Sequence, residues 1–102
     1  MNTIVITGRL GQKPELKKNE KTTYTNFSLA DRNGKTTQWL NVTAFGIVAE
    51  NLCKHKHKGD IIAVSGRLQI TQKDDKKFVN INAIEIEYLN GGNNNNGDDP
   101  FK

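Results

Sequence analysis

Five segments of this chain alternate apolar and polar residues with a period of two, and this alternation constrains the fold more than any other feature. The segments are 2–10, 22–30, 37–45, 61–71 and 78–89, and they are rich in β-branched and aromatic residues. Successive side chains of a strand point to opposite faces of a sheet, so such segments are typical of strands with one buried face. The sequence therefore predicts five β-strands.

One segment, 47–57, breaks the alternation. Its apolar residues recur at helical spacing and are Val48, Ala49, Leu52 and Cys53. Lysines follow, and Gly59 suits the position just after a helix end, so we expect a short helix here. The order is then three strands, one helix and two strands in a chain of 102 residues. That order predicts an all-β OB-fold, a five-stranded Greek-key barrel with one short helix between strands 3 and 4.

The alternation also assigns the side chains that should fill this barrel. The predicted inward residues are Ile62, Val64, Leu68 and Ile70 on the fourth strand, and Val79, Ile81 and Ala83 on the fifth. Ile84 and Ile86 then occur with the opposite parity, which indicates a β-bulge or a strand end buried on both sides. Asn33-Gly34 is the strongest local turn signal, so the second and third strands should form a hairpin.

The third strand has a face that mixes aromatic and polar residues. Opposite Leu40, Val42 and Ala44 lie Trp39, Asn41, Thr43 and Phe45, and the fifth strand repeats this mixture with Phe78, Asn80 and Asn82. Stacking a base on an aromatic ring contributes about 1–3 kcal/mol whatever the base, and the polar residues can hydrogen-bond base edges or sugars. The mixed face predicts a binding surface for unpaired nucleic acid. The alternative is that the rings close a barrel end or meet another subunit.

The charge of the chain favours a polyanionic ligand. The formal net charge is +4, although the last five residues include two acidic groups. The cations on or near the predicted strands and loops are Arg9, Lys13, Arg32, Lys35, Arg67, Lys73, Lys76 and Lys77. We expect them to follow phosphates beside the aromatic face. Excess charge also keeps a protein dispersed, so charge alone does not decide between the two interpretations.

Catalytic and metal chemistry are not expected. The segment 53–57 holds one cysteine and two histidines, but side chains two apart on a helix do not share a face, and the adjacent lysines would repel a cation. No catalytic constellation, cofactor motif or metal site is predicted. A single cysteine fits a reducing cytoplasm. The first residues lack the pattern of a signal peptide, and no apolar run is long enough to span a membrane.

The chain resembles the bacterial and phage single-stranded DNA-binding proteins of the SSB type over nearly its whole length. The resemblance is carried by TGRLGQKPEL at 7–16, FSLA at 27–30, QWLNVTAFG at 38–46, KGD at 58–60 and GRL at 66–68. It implies an OB-fold that binds single-stranded DNA in replication, recombination and repair, without catalysis. It also implies a homotetramer around which DNA wraps, with a dimer as the alternative. A primosome-like accessory module that acts mainly through protein contacts is the second functional hypothesis.

The resemblance also implies roles for particular residues. Trp39 matches a tryptophan that stacks bases in the family, and Phe45 matches a family aromatic residue. Lys58 and Arg67 match basic positions. The dimer contact of the family runs through the first strand, so Val5 and Thr7 should lie at an oligomer interface. Lys73 stands where relatives carry tryptophan or tyrosine, so phosphate contacts should account for a larger share of binding here.

Residues 90–102 read as a tail that follows a folded domain at 1–89. The segment 90–97 consists of asparagine and glycine, which have little to bury, so we expect a flexible, disordered tail. The tip contains Asp98, Asp99, Pro100 and Phe101, and it resembles the acidic tip with which the family recruits replication, repair and recombination proteins. Lys102 follows Phe101, whereas the family tip ends on phenylalanine.

Overall fold

The computed structural model describes residues 1–89, so the predictions made for the tail at 90–102 and its tip at 98–101 lie outside the described residues. Six strands and one helix occur in this part of the chain. They are β1 (Ile4–Leu10), β2 (Lys17–Lys18), β3 (Thr23–Asn33), β4 (Thr36–Phe45), α1 (Gly46–His55), β5 (Ile61–Lys73) and β6 (Lys76–Leu89). No helix within residues 1–89 is long and apolar enough to cross a bilayer.

Five of these strands close into a ring. The strand order is β1-β5-β6-β4-β3, and β1 also pairs with β3 to complete the circle. β4 and β6 run parallel, whereas the other pairs are antiparallel. This closed Greek-key arrangement, with α1 between the third and fourth ring strands, confirms the predicted OB-fold. The two-residue strand β2 pairs with β3 outside the ring and was not predicted, because two residues are too few to show an alternation.

The inward side chains of the ring form one core, and α1 covers one part of it. The buried core residues are Leu10, Phe27, Leu29, Val42, Ala44, Ala49, Leu52, Ile62, Val64 and Ile81. Ala49 and Leu52 are the contribution of α1, as their helical spacing predicted. Burial of each large aliphatic side chain contributes about 1.5–3 kcal/mol, which holds the strands in a single register.

The helix ends earlier than predicted. Lys56 is already extended (φ −121°), and its N–H donates to the Leu52 carbonyl oxygen at 3.0 Å, so α1 stops at His55. Gly59 has φ +90°, but it lies in the turn that leads to β5, where its N–H donates to the Leu10 carbonyl oxygen at 2.9 Å. The prediction that Gly59 directly follows the helix was therefore wrong, because its left-handed backbone serves this turn.

Both long hairpins have two-residue turns, but the turns differ. Between β3 and β4 the predicted hairpin is confirmed, with Gly34 at φ +65° as the first central residue, as a type II′ turn requires. Between β5 and β6 the central residues are Asp74 (φ +51°) and Asp75 (φ +68°). Two positive φ values are the pattern of a type I′ turn, and aspartate tolerates them better than most residues.

The predicted bulge interrupts the pairing of β5 and β6 within the barrel. Ser65 pairs with Glu85 and Gly66 with Ala83, so Ile84 is the extra residue. A side chain at Gly66 would collide with the Asn82 backbone, which explains the glycine at this bend.

Residues 69–79, here called the hairpin arm, are all exposed. Ile70 and Val79 point to the same side as the core residues Leu68 and Ile81, with which they alternate along β5 and β6. Nevertheless Ile70 is 59% and Val79 44% exposed. The prediction that Ile70 and Val79 fill the barrel was wrong. β5 and β6 extend beyond the ring, and within residues 1–89 no other strand covers this part of them.

Candidate nucleic-acid interface

The side chains that point away from the core on β3, β4 and β6, with those of the distal half of β5, form one continuous surface, here called the outer face. The strand registers place these residues side by side. Its members are Tyr24, Asn26, Ser28, Trp39, Asn41, Thr43, Phe45, Arg67, Phe78, Asn80 and Asn82. The mixed aromatic and polar surface predicted from the alternation is therefore a real surface of the protein.

Trp39 is 60% exposed, so its ring is not sealed inside the barrel. Its six-membered ring lies against the backbone of Gly11. A Cβ atom added at Gly11 would be 2.6 Å from Cζ3 of Trp39 and 2.9 Å from the Ser28 hydroxyl oxygen. Because Gly11 has no side chain, the indole packs directly against its backbone, and much of the ring remains available to a ligand.

Two arginines line the same cleft as Trp39. This open cleft of about 670 Å³ is lined by Trp39, Arg9, Arg32 and Gly34 of the β3–β4 turn, together with one acidic residue, Asp31. Arg9 donates through one guanidinium nitrogen to the Gly59 carbonyl oxygen at 3.0 Å, and Arg32 Nε lies 3.4 Å from the Gly34 carbonyl oxygen. Each bond uses one donor, so both guanidinium groups keep further N–H groups for an anion. A flat ring and two cations thus meet in one cleft, with Lys35 in the adjacent turn.

Phe45 lies at the other end of β4 and has an aromatic neighbour that sequence reasoning did not assign to the site. Phe45 is 48% exposed, and the ring of Tyr24 lies opposite it on β3, with centroids 6.3 Å apart and planes tilted by 38°. Tyr24 in turn pairs with Lys17 of β2. The parity of the second strand was the signal available for Tyr24, whereas nothing in the sequence pattern pointed to Lys17.

The centre of the outer face is a chain of polar side chains bonded to one another. The Thr43 hydroxyl donates to Asn26 Oδ1 at 2.7 Å and accepts from Asn80 Nδ2 at 3.2 Å. Asn80 Nδ2 also donates to Asn82 Oδ1 at 3.1 Å, and Asn82 Nδ2 donates to Gln69 Oε1 at 3.0 Å. Thr43 thus bridges three strands, and its hydroxyl proton and one of its two acceptor positions are already used within the protein.

The hairpin arm carries the third predicted aromatic. Phe78 is 55% exposed and pairs with Thr71 across the arm. The predicted cations at the tip, Lys73, Lys76 and Lys77, surround the turn between β5 and β6. The arm thus extends the aromatic and basic surface away from the barrel.

Four other predicted residues are not members of the outer face. Lys13 Nζ donates to the Cys53 carbonyl oxygen at 3.2 Å, against the end of α1, and Lys58 is exposed in the turn after α1. Val5 is exposed on β1, and Thr7 borders the cleft beside Trp39. The structure does not bring these four residues together with Phe45 or Phe78.

Two side chains of the segment 53–57 lie beside the ring of Tyr88. Cys53 is a half-buried free thiol, and His55 lies 6.4 Å from the ring of Tyr88, centroid to centroid. The ammonium of Lys56 lies 5.2 Å from the same ring centroid. Burial, and secondarily the nearby Cys53, raises the pKa of the Tyr88 hydroxyl. Within residues 1–89 no group of three or more histidine, cysteine, aspartate or glutamate side chains is arranged to hold a metal ion.

Comparison with known proteins identifies the family. Residues 1–90 match the single-strand binding protein family. The chain belongs to this family. The resemblance seen in the sequence motifs is therefore confirmed, and it extends across all of the described residues.

Individual relatives agree with this assignment. A single-stranded DNA-binding protein of Fusobacterium nucleatum is 36% identical over 86 residues, covering 74% of this chain and 56% of the relative. Single-stranded DNA-binding protein 1 of Clostridium acetobutylicum is 31% identical over 103 residues, covering 87% and 94% respectively. A crystal structure of a deletion mutant of the single-stranded DNA binding protein from Thermus aquaticus matches with a TM-score of 0.76 and 27% identity, covering 87% of this chain and 41% of that chain. The chain thus spans about half the length of the Fusobacterium relative and less than half of the Thermus chain.

Proposed function

We propose that this protein binds single-stranded DNA without sequence preference and protects it during replication, recombination and repair, without catalysing a reaction. The observation that carries the proposal is the exposed Trp39 ring in a cleft that two arginines also line. Trp39 offers a flat ring to a base, while Arg9 and Arg32 border the same cleft and can neutralise the phosphates on either side. The proteins of Fusobacterium and Clostridium to which the chain is similar are single-stranded DNA-binding proteins.

The DNA path in this proposal runs along the outer face from Trp39 towards Phe45, with Phe78 and the basic tip of the hairpin arm at one side. Stacking is indifferent to base identity, and phosphate contacts do not read sequence. Arg67 is exposed and pairs with Asn82 at the base of the arm, where its guanidinium can meet the same backbone. Affinity is therefore expected to fall steeply with salt.

The proposal includes a homo-oligomer, a tetramer or a dimer, formed through β1. One edge of β1 pairs with β5 from Ile4 to Arg9, but within residues 1–89 the other edge pairs with β3 only at Arg9 and Leu10. An exposed strand edge is a template for pairing with a second chain. Val5 and Thr7 lie on this part of β1, and sedimentation of the free protein measures the oligomeric state. We further propose a cytoplasmic location and recruitment of replication and repair proteins by the acidic tip at 98–101.

The test uses the single tryptophan of the chain as the reporter. At low salt, oligo(dT) should quench the fluorescence of Trp39, because the base stacks directly on the indole. Trp39→Ala should weaken binding by about 1–3 kcal/mol, measured by anisotropy of a labelled oligonucleotide. Trp39→Phe, which keeps a ring, should retain a large part of that affinity.

Circular dichroism and thermal unfolding of both variants check that the barrel is intact, which we expect because Trp39 lies outside the core. Unchanged fluorescence at saturating oligo(dT), or equal affinity of the wild type and Trp39→Ala, would refute the proposed binding mode. Deletion of residues 90–102 should leave DNA affinity in place, whereas a loss of binding would assign the DNA contact to the tail.

A further inference from the structure

A groove on the outer face lies between the two aromatic ends of β4. Its volume is about 460 Å³, and its lining includes Gln12, Lys17, Ser28, Asn41 and Asn80. Lys17 belongs to β2, the short strand outside the barrel ring, and Gln12 to the loop that leads to it. The groove is therefore formed by the outer face on one side and the β1–β3 connection on the other.

Strand pairing decides which lysine of β2 faces this groove. Lys17 pairs with Tyr24 and Lys18 pairs with Thr23. Tyr24 points to the outer face together with Asn26, whereas Thr23 has the opposite parity on β3, that of the buried Thr25. Of the two neighbouring lysines, Lys17 thus shares the face of the groove and is among its lining residues, while Lys18 is not.

Asn41 is one of the polar residues of the groove that remain available to a ligand. Unlike Asn80, whose amide is bonded to Thr43 and Asn82, the Asn41 side chain makes no hydrogen bond within residues 1–89. The side chain of Gln12 is exposed and likewise makes no hydrogen bond with another described residue. Two free amides therefore border the groove beside one ammonium group.

The spacing of the aromatic residues places nucleotides in this interval when one DNA strand reaches both rings. Trp39 and Phe45 are six residues apart on β4, or about 20 Å at the rise of a strand. Stacked bases of one DNA strand are separated by only about 3.4 Å along the helix axis, so a strand that reaches both rings must place nucleotides between them. Asn41 lies in that interval.

We propose that this groove is a nucleotide subsite, in which the Lys17 ammonium binds a backbone phosphate and the amides of Gln12 and Asn41 hydrogen-bond the edge of a base. This inference rests on the proposed single-stranded DNA binding and adds a second kind of contact to it. An amide both donates and accepts, so it can rotate to meet the edge of any base. The subsite therefore holds the strand without selecting a sequence.

The first test compares two neighbouring lysines. Lys17→Ala should reduce the slope of log K against log salt by about 0.7 for oligo(dT), because one phosphate contact of a single strand is lost. Lys18→Ala removes the same charge from the same strand on its other side, and it should leave the slope unchanged. Equal slopes for the two variants would overturn the assignment of a phosphate to Lys17.

The second test separates the amide contacts from charge. Asn41→Ala should lower affinity for oligo(dT) about two- to tenfold, the loss expected for one or two hydrogen bonds, with no change in the salt slope. Gln38→Ala is the matched control, since Gln38 is an exposed amide on β4 with the opposite parity. Equal affinities of Asn41→Ala and Gln38→Ala would overturn the base contact.

Quenching of Trp39 by saturating oligo(dT) is recorded for each variant and distinguishes the two proposals. Quenching that persists while Lys17→Ala and Asn41→Ala behave like their controls removes the subsite but leaves single-stranded DNA binding in place. A wild-type protein that shows no quenching at all removes the proposed function itself.

Discussion

The barrel wall and the hairpin arm present aromatic rings to solvent to a similar extent but support them differently. Trp39 on the wall is 60% exposed and Phe78 on the arm 55%. Trp39 stands on a strand whose other face is buried in the core, and its ring rests on Gly11. Phe78 stands on a two-stranded ribbon whose other face, at Ile70 and Val79, is exposed as well.

The difference shows that exposure and preorganisation are separate properties. A ring that is already held in place loses little conformational freedom when a base stacks on it, whereas a ring without such support must be ordered during binding. A ribbon without a second layer opens more easily than a strand of a closed barrel. We therefore expect Trp39 to contribute more to binding than Phe78, although the two rings are equally accessible.

The largest expected difference between wall and arm concerns the free energy of unfolding. Ile62→Ala, in the barrel part of β5, should destabilise the protein by about 2–5 kcal/mol because it leaves a cavity in the core. Ile70→Ala, on the arm of the same strand, should change the free energy of unfolding by less than about 0.5 kcal/mol. Urea unfolding measures both. Similar losses would mean that the arm is covered in the native protein, and the contrast would then fail.

The next largest effect, on DNA affinity, is expected at Gly11, against which the Trp39 ring packs. Gly11→Ala places a methyl group where the indole now lies, so the ring must move. We expect the affinity for oligo(dT) to fall by about 1 kcal/mol, part of the stacking contribution, with a shift in tryptophan emission. In a Trp39→Ala background the same substitution should have no further effect on affinity. A full additional loss there would show that Gly11 acts independently of the ring.

A smaller loss is expected at the arm. Phe78→Ala should weaken oligo(dT) binding by less than 1 kcal/mol, below the lower end of the usual range for stacking on a protein ring. Its effect should also be smaller than that of Trp39→Ala in the same anisotropy titration. If Phe78→Ala matched or exceeded Trp39→Ala, support from the core would not be what makes a ring effective here.

The smallest effect concerns the turn of the arm. Asp75→Gly should stabilise the paired conformation of the hairpin arm by about 0.5 kcal/mol, because glycine adopts positive φ without steric cost. Asp75→Asn is the control that removes the same negative charge but keeps a side chain. Hydrogen exchange of the arm amides reports the gain, which should be larger for glycine than for asparagine. Equal protection in the two variants would assign the effect to charge among the neighbouring lysines.

Much of the outer face was predictable from the order of residues along each strand. The opposite orientations of Trp39 and Val42 follow from the pleat of a single strand, which does not depend on the rest of the molecule. The bulge near Ile84 was predicted in the same way, because a change of parity is a local signal.

The predictions that failed depended on residues far apart in the chain. Ile70 and Val79 have the correct parity for the core, but burial requires a second layer, and the arm continues past the rest of the barrel. The sequence also could not show that the Thr43 hydroxyl, which lies on the outer face as predicted, is bonded to Asn26 and Asn80 on two other strands. These partners are set by the pairing of β4 with β3 and with β6.

The amino-acid order alone thus specifies strand, helix and face for most of residues 1–89, since these properties arise from contacts within a few residues. Folding of the whole chain settles which faces are covered and which polar groups are already paired, and it brings Lys17 beside Tyr24. Those outcomes depend on strands that are neighbours in space but distant in sequence, so the pattern within one segment does not predict those outcomes.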